Sequence, residues 1–260
     1  MKYVLSRITD QGSKKNINQD ASYVGGLESR NYRSLFGIVC DGVGSCEHSE
    51  IASARGVSAF TDWFEKCYFD FADEEDEEQF CGLLYERWFA LFNIINDYVV
   101  DFAEVNKIRL GSTLSCILVR GSFYYILHIG DTRIYKITDE IVQLTPDHTI
   151  TGLELSRGNI TEEEALTDSR RHTLTKCLGM RKHVRAEFFT GEFFGDTKFL
   201  ICSDGFRGIV DDEQILSELS GDKPLKQNML DKAVRSIIRI NRSEGENDNI
   251  TAVVIQMSEE

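Results

Sequence analysis

The chain has 260 residues, 42% of them hydrophobic and 28% charged, which is enough apolar content for a sizeable core. A formal net charge of −14 argues against nucleic acid or an anionic membrane as the main partner, because phosphate groups recruit basic surfaces; it is compatible with divalent cations. No apolar run reaches the roughly 18 residues of a membrane span, Met1-Lys2-Tyr3-Val4 begins no signal peptide, and the seven scattered cysteines include no Cys-x-x-Cys pair, so a reducing compartment, the cytoplasm, is expected.

Only two prolines occur, Pro146 and Pro224, and no Pro-rich or Gly/Ser-rich linker divides the chain, so one domain spanning 1–260 is expected. Residues 2–9 alternate and read as a first strand, 10–19 as a polar loop, and 20–25 and 37–40 as two further strands. Residues 49–69 keep helical spacing through Ile51, Ala52, Val57, Phe60 and Phe64. The acidic run 70–78 reads as a solvated connection. Residues 80–106 follow as a long helix with Phe80, Leu84, Trp88, Leu91 and Ile95 on one face, a stripe that reads as core. Runs 111–120 and 123–129 read as strands joined at Gly121-Ser122, with 133–138 and 141–144 after them. Residues 146–180 are polar, with a short helix at 161–166 behind a Thr161 to Glu164 capping-box pattern, and read as a small flap subdomain. Strands at 184–189 and 198–202, helices at 211–219 and 225–240, and a strand at 250–257 complete the chain. Segregated runs of strands and helices favour an α+β fold, with sheets packed on each other and helices outside.

Aspartates recur at strand ends. Phe36-Gly37-Ile38-Val39-Cys40-Asp41-Gly42 is an apolar strand that stops at an acid and turns through glycine, and Phe199-Leu200-Ile201-Cys202-Ser203-Asp204-Gly205 repeats it. Asp131 follows the run ending at Gly130, Asp248 precedes the last strand, and Asp20 precedes the second. Each alone is an ordinary turn residue. Together they describe carboxylates converging on one sheet edge, hard oxygen donors suited to Mg²⁺ or Mn²⁺ that repel each other without a cation.

The ordered series Lys15 to Asp20, Asp41-Gly42-Val43-Gly44, Gly111-Ser112-Thr113, Gly130 to Tyr135, Leu144 to Thr149, Leu174 to Gly179, Cys202 to Gly205 and Asp248 to Thr251 resembles the metal-dependent protein phosphatases of the 2C type, and the compact bacterial members above all. The resemblance covers essentially the whole chain. It implies a central antiparallel β-sandwich flanked by helices, in four αββα layers, with a metal centre at one end. It implies a serine/threonine phosphatase in which Mn²⁺ or Mg²⁺, two ions, activate water against phosphoserine or phosphothreonine without a covalent phosphoenzyme. By the same resemblance Asp41, Asp204 and Asp248 ligate metal, with Asp41 bridging; Gly42 offers its carbonyl; Asp20 acts close by through water; Asp131 belongs to a weaker third site; and Lys15 holds the substrate phosphate. The implied partners are a phosphorylated protein and an opposing Ser/Thr kinase, and the expected state is a monomer. For Ser112 and Thr113 only a structural role is read.

Three positions depart from the family pattern. Lys15 replaces an arginine, keeping the charge but losing the bidentate fork; it also reads as a solvated lysine beside Lys14. Val43 stands where a histidine general acid is found in eukaryotic members. Gly208 replaces an aspartate, which weakens the third metal site. Of the histidines, His148 reads as a structural hydrogen-bonding residue, His128 as packed in a strand, and His48, His172 and His183 as lacking a partner at ligand spacing. The alternative to an enzyme is a non-catalytic regulator that keeps the fold and binds phosphoproteins or nucleotides. The retained aspartates favour catalysis, and Lys15 and Gly208 leave room for the regulator.

Overall fold

The aliphatic runs of the sequence become the inner strands of two antiparallel sheets. The structure is a computed structural model and describes residues 2–220 and 224–258. The ten strands among these residues are β1 (Lys2–Asp10), β2 (Ala21–Glu28), β3 (Arg33–Cys40), β4 (Leu114–Arg120), β5 (Phe123–Ile129), β6 (Arg133–Ile137), β7 (Ile141–Gln143), β8 (Glu187–Glu192), β9 (Thr197–Cys202) and β10 (Ile250–Ser258). One sheet runs in the order β1-β10-β9-β6-β7 and the other β2-β3-β4-β5-β8.

Period-two alternation sorts the side chains of β3. Leu35 and Val39 face the other sheet, where they meet Phe199, Ile201, Val253 and Ile255 in the central layer. Phe36, Ile38 and Cys40 point the opposite way. Gly37 lies where the sheets come closest: a Cβ there would stand 2.8 Å from Ile201 Cδ1. β3 begins at Arg33, earlier than the apolar run suggested. Ser34 is buried in it at no loss, because its hydroxyl pairs with Tyr68 Oη at 2.6 Å.

Helices α1 (Ser49–Lys66) and α2 (Glu77–Asn106) cover the outward face of the second sheet. Phe64 and Trp88 pack there on Phe36, with Phe36 and Phe64 stacked at 5.1 Å between ring centroids, and Phe60 and Phe92 belong to the same cluster. Two short helices, α3 (Ile150–Ser156) and α4 (Glu162–Thr167), lie in the polar segment. α3 was not visible in the sequence pattern, whereas the Thr161–Glu164 capping box at α4 is formed as read. Helices α5 (Asp212–Leu219) and α6 (Gln227–Ser243) cover the first sheet, where Leu230, Val234 and Ile237 meet Leu200 and Val254. The architecture is therefore α+β, with four αββα layers.

The acidic run departs from its reading as a purely solvated connection. Arg120, on β4, is buried, and its guanidinium donates to the carbonyls of Ala72 and Glu74 and to Glu77 Oε2. Tyr32 and Phe80 sandwich it at 3.5 and 4.0 Å from their ring centroids. One buried cation thus anchors the start of α2.

Candidate active site

The strand ends that carry acids all point the same way. Asp41 follows β3 directly, Asp204 follows β9 after Ser203, Asp20 precedes β2 and Asp248 lies just before β10. Asp131 sits in the crossing from β5 to β6, which passes from one sheet to the other. One sheet contributes Asp204 and Asp248 and the other Asp20 and Asp41, so the acids meet at the seam of the sandwich.

Backbone pairing fixes Asp41. Its N–H donates to Thr113 Oγ1 at 2.8 Å, and its carbonyl accepts from the Thr113 N–H at 2.8 Å and lies 2.9 Å from the Ser112 hydroxyl. Residues 112 and 113 act here as supports, in keeping with their structural reading. Gly42 passes so near the neighbouring loop that a Cβ would stand 2.7 Å from the Gln19 carbonyl oxygen. No hydrogen bond among the described residues ends on the Gly42 carbonyl.

Asn249 holds the loop between β1 and β2. Its side-chain oxygen accepts from the Gln19 N–H at 2.9 Å and its amide donates to the Gln11 carbonyl at 2.7 Å. This loop carries Lys15, whose Nζ lies 2.8 Å from Asp248 Oδ1. Partial burial works against the lysine's charge, but Asp248, and then Asp41 and Asp204, outweigh it and raise its pKa. Lys15, Asp41, Asp131, Asp204 and Asp248 all line one cleft of about 520 Å³. Asp20 and Gly42 are not on its wall.

The electrostatics ask for a cation. Both carboxylate oxygens of Asp20 are buried without a hydrogen-bond partner. The Thr251 and Ser203 side chains nearby work to keep it ionised, and burial outweighs them. Burial, and then the charge of Asp204, push Asp20 up to about 7. Burial together with Asp20 and Asp204 pushes Asp41 well above the carboxylate range. Asp131 rises to about 7 for the same two reasons, burial first and Asp204 second. Burial also works against the Asp204 charge, but His172 and Arg207 overcome it and hold that carboxyl below its usual value. Buried acids that cannot all ionise, one with orphaned oxygens, make a site that a divalent cation would complete. The donor set, all oxygen apart from one imidazole, fits Mn²⁺ or Mg²⁺.

His172 corrects the sequence reading. Its Nδ1 lies 3.3 Å from Asp204 Oδ2, and one ligand atom each from Asp131, His172 and Asp204 fall within 4.8 Å of one another. No spacing rule finds such a pair, because the fold brings the imidazole beside an acid 32 residues further along the chain. Arg207 was also missed: it is 14% exposed, donates to the Asp131 carbonyl at 2.9 Å and faces Asp147 at 3.6 Å. Asp147 is in turn held by both ends of the Arg133 fork at 2.8 Å. His148 and His128 behave as read. His148 Nδ1 accepts the Gly130 N–H at 3.0 Å, and His128 is buried between Ser115 and Pro146. Gly208 lines the cleft, and the space above it is taken: a Cβ there would stand 2.1 Å from Glu246 Oε2.

Comparison with known proteins agrees with this geometry. A family model described as protein phosphatase 2C matches residues 10–252. Protein phosphatase PhpP of Streptococcus pneumoniae is 29% identical over 259 residues, covering 98% of each chain. The crystal structure of serine/threonine phosphatase Stp1 from Staphylococcus aureus superposes with a TM-score of 0.83 at 24% identity, over 100% of this chain and 96% of that one, and shares the fold. The catalytic domain of serine threonine protein phosphatase PstP, in a crystal structure with 2 manganese ions, reaches a TM-score of 0.78 at 25% identity over 99% of both chains. A match that runs from the end of β1 into β10 takes in every acid of the cleft, and the chain belongs to the protein phosphatase 2C family.

Proposed function

We propose that the chain is a metal-dependent protein serine/threonine phosphatase that hydrolyses phosphoserine and phosphothreonine. The observation that carries this reading is the buried acid group at the seam, Asp20, Asp41 and Asp204, opening into a cleft that also presents Lys15. Asp41, Asp204 and Asp248 would hold two ions, Mn²⁺ or Mg²⁺, with the Gly42 carbonyl and Asp20 as further oxygen donors. Asp131 and His172 would serve a third ion, to which Gly208 adds no side chain. When bound, the ions lower the pKa of attacking water and offset negative charge on the phosphoryl oxygens.

The protein's own groups do the rest. Lys15 Nζ, kept charged by Asp248, takes a phosphoryl oxygen and turns the phosphorus toward Asp41 and Asp204. Thr113 and Ser112 keep the Asp41 backbone from moving as charge builds up in front of it. Val43 carries no proton, so the leaving alkoxide takes its proton from water in the cleft. No cysteine lines the cleft, and burial pushes the thiols of Cys177 and Cys202 up to about 12, so none is the nucleophile.

The segment 146–180 is a flap of a single domain and shapes substrate choice at the cleft rim. The seven cysteines are free, which suits the cytoplasm, and no helix among the described residues is long and apolar enough to cross a membrane. There the protein acts as a monomer opposing a Ser/Thr kinase. The test is hydrolysis of p-nitrophenyl phosphate and of a phosphoserine peptide with Mn²⁺, with Mg²⁺ and with chelator. Asp41→Asn and Asp204→Asn should each abolish the metal-dependent rate. Activity that survives either substitution, or that is absent with both metals, sinks the reading.

A further inference from the structure

A second groove, of about 1140 Å³, opens off the active-site cleft between the C-terminal end of α2 and residues 172–182. It shares Val43, Ser45, His172 and Leu174 with the cleft, so the two spaces are continuous. Val100, Leu110 and Cys177 are buried and give it an apolar floor.

The rim is cationic in a chain whose net charge is −14. Lys107, Arg109, Arg181 and Lys182 stand exposed along it, and Glu104 is the one acid of the lining among the described residues. Lys182 is answered by Asp101 at 2.8 Å. Lys107, Arg109 and Arg181 have no ion pair among the described residues. The two walls are nonetheless held in place. Lys107 closes α2 in the left-handed region at φ 55, and Asn96 clamps the opposite wall, donating to the Arg181 carbonyl at 3.1 Å and accepting the Gly179 N–H at 2.9 Å. A rigid trough with unpaired cations at its edge concentrates negative ligands, while the rest of the acidic surface repels them.

We propose that this groove docks an acidic segment of the protein substrate, the stretch of chain flanking the phosphorylated residue. The proposal rests on the phosphatase reading above and narrows it: phosphorylated residues in acidic surroundings are the preferred substrates. With the phosphate at Lys15, the flanking chain leaves over Val43 and His172, lays apolar side chains on the floor and sets carboxylates against Arg109 and Arg181.

The test uses the whole chain and short fluorescein-labelled peptides with acidic or basic residues around a serine, read by fluorescence anisotropy, and the matching phosphoserine peptides, read by turnover. The acidic peptide should bind at least about fivefold more tightly than the basic one at low salt, a difference of the size of one exposed charge pair, and the gap should shrink with added NaCl. Arg109→Glu with Arg181→Glu should cancel or reverse the preference in both assays while p-nitrophenyl phosphate hydrolysis stays unchanged. Equal binding of the two peptides, or a preference that survives the double charge reversal, overturns the proposal. Loss of all phosphatase activity in the unaltered protein would overturn the catalytic reading instead, and the anisotropy arm would still decide the groove.

Discussion

Lys15 Nζ and Asp248 Oδ1 stand 2.8 Å apart, a cation from the loop between β1 and β2 set against an acid from the threshold of β10. Their side chains are 28% and 39% exposed, so as a salt bridge the pair stabilises the fold by no more than ~1 kcal/mol. Its importance is positional. Lys15→Ala should raise KM for p-nitrophenyl phosphate by about tenfold, the worth of one charged hydrogen bond, with little loss of melting temperature. Lys15→Arg restores a bidentate fork and should lower KM a few-fold. Steady-state kinetics on both variants check this, and an arginine enzyme with an unchanged or higher KM refutes the assigned role.

The crowding of Asp20, Asp41 and Asp204 predicts that a bound cation is also a structural element. Adding Mn²⁺ to chelator-treated protein at about a hundredfold over its dissociation constant should contribute ~2.7 kcal/mol of stability, visible as a rise of several degrees in Tm. Asp41→Asn removes a group that burial and two neighbouring acids push up, so the metal-free variant should melt above the metal-free wild type. It should also lose most of the Mn²⁺ response. Differential scanning fluorimetry with and without chelator gives the answer; identical curves for the two proteins would contradict it.

His128 supplies a pH dependence remote from the acids. Its Nε2–H donates to the Pro146 carbonyl at 2.8 Å, and its Nδ1 lies 2.8 Å from the Ser115 hydroxyl, which also reaches the Thr132 carbonyl at 3.0 Å. Burial, and then the adjacent His148, lower its pKa to about 3 from an ordinary 6.5. Below pH 6.5 the unfolded chain binds a proton that the folded chain does not, so the contribution of His128 is full above that value and is lost as pH falls toward 3. His128→Leu should melt below the wild type at neutral pH, by ~1–3 kcal/mol for the orphaned Pro146 carbonyl, while Ser115 keeps the Thr132 carbonyl. The gap should narrow on going from about pH 7.5 to about pH 5. A gap that stays constant would mean that the ring titrates normally.

Glu246 explains why an acid cannot simply be restored at position 208. Its Oε1 accepts the N–H groups of Asn247 at 2.6 Å and Asp248 at 2.8 Å, and its Oε2 occupies the space over Gly208. Gly208→Asp should therefore displace Glu246, loosen Asp248 and cost ~1–3 kcal/mol of stability together with activity. Glu246→Ala in the same chain should recover part of the melting temperature. A Gly208→Asp enzyme as stable and as active as the wild type would show that Glu246 moves aside freely.

The sequence made the acids of β3 and β9 legible because each interrupts an aliphatic run, and a buried strand that ends in a charge is a conspicuous local event. The layer order was legible for a similar reason: strands and helices come in separate runs with different periods. What could not be read depends on contacts between distant segments. Arg120 turns an acidic run into an anchored corner only because β4 carries it beneath Ala72 and Glu74. His172 comes near Asp204 only because the fold brings it beside an acid further along the chain. Gly208 looks like a missing ligand until Glu246 is seen above it. α3 escaped because its residues bury almost nothing and leave no hydrophobic period to detect.

The position of β10 has a consequence for synthesis. This strand lies between β1 and β9, and among the described residues β1 has no other neighbour in its sheet. A chain emerging from the ribosome therefore holds its first strand unpaired until residues 250–258 appear, and Asp248 reaches the seam in the same event. A chain that stops before β10 thus lacks both the partner of β1 and Asp248, and it should show neither a stable first sheet nor metal-dependent phosphatase activity.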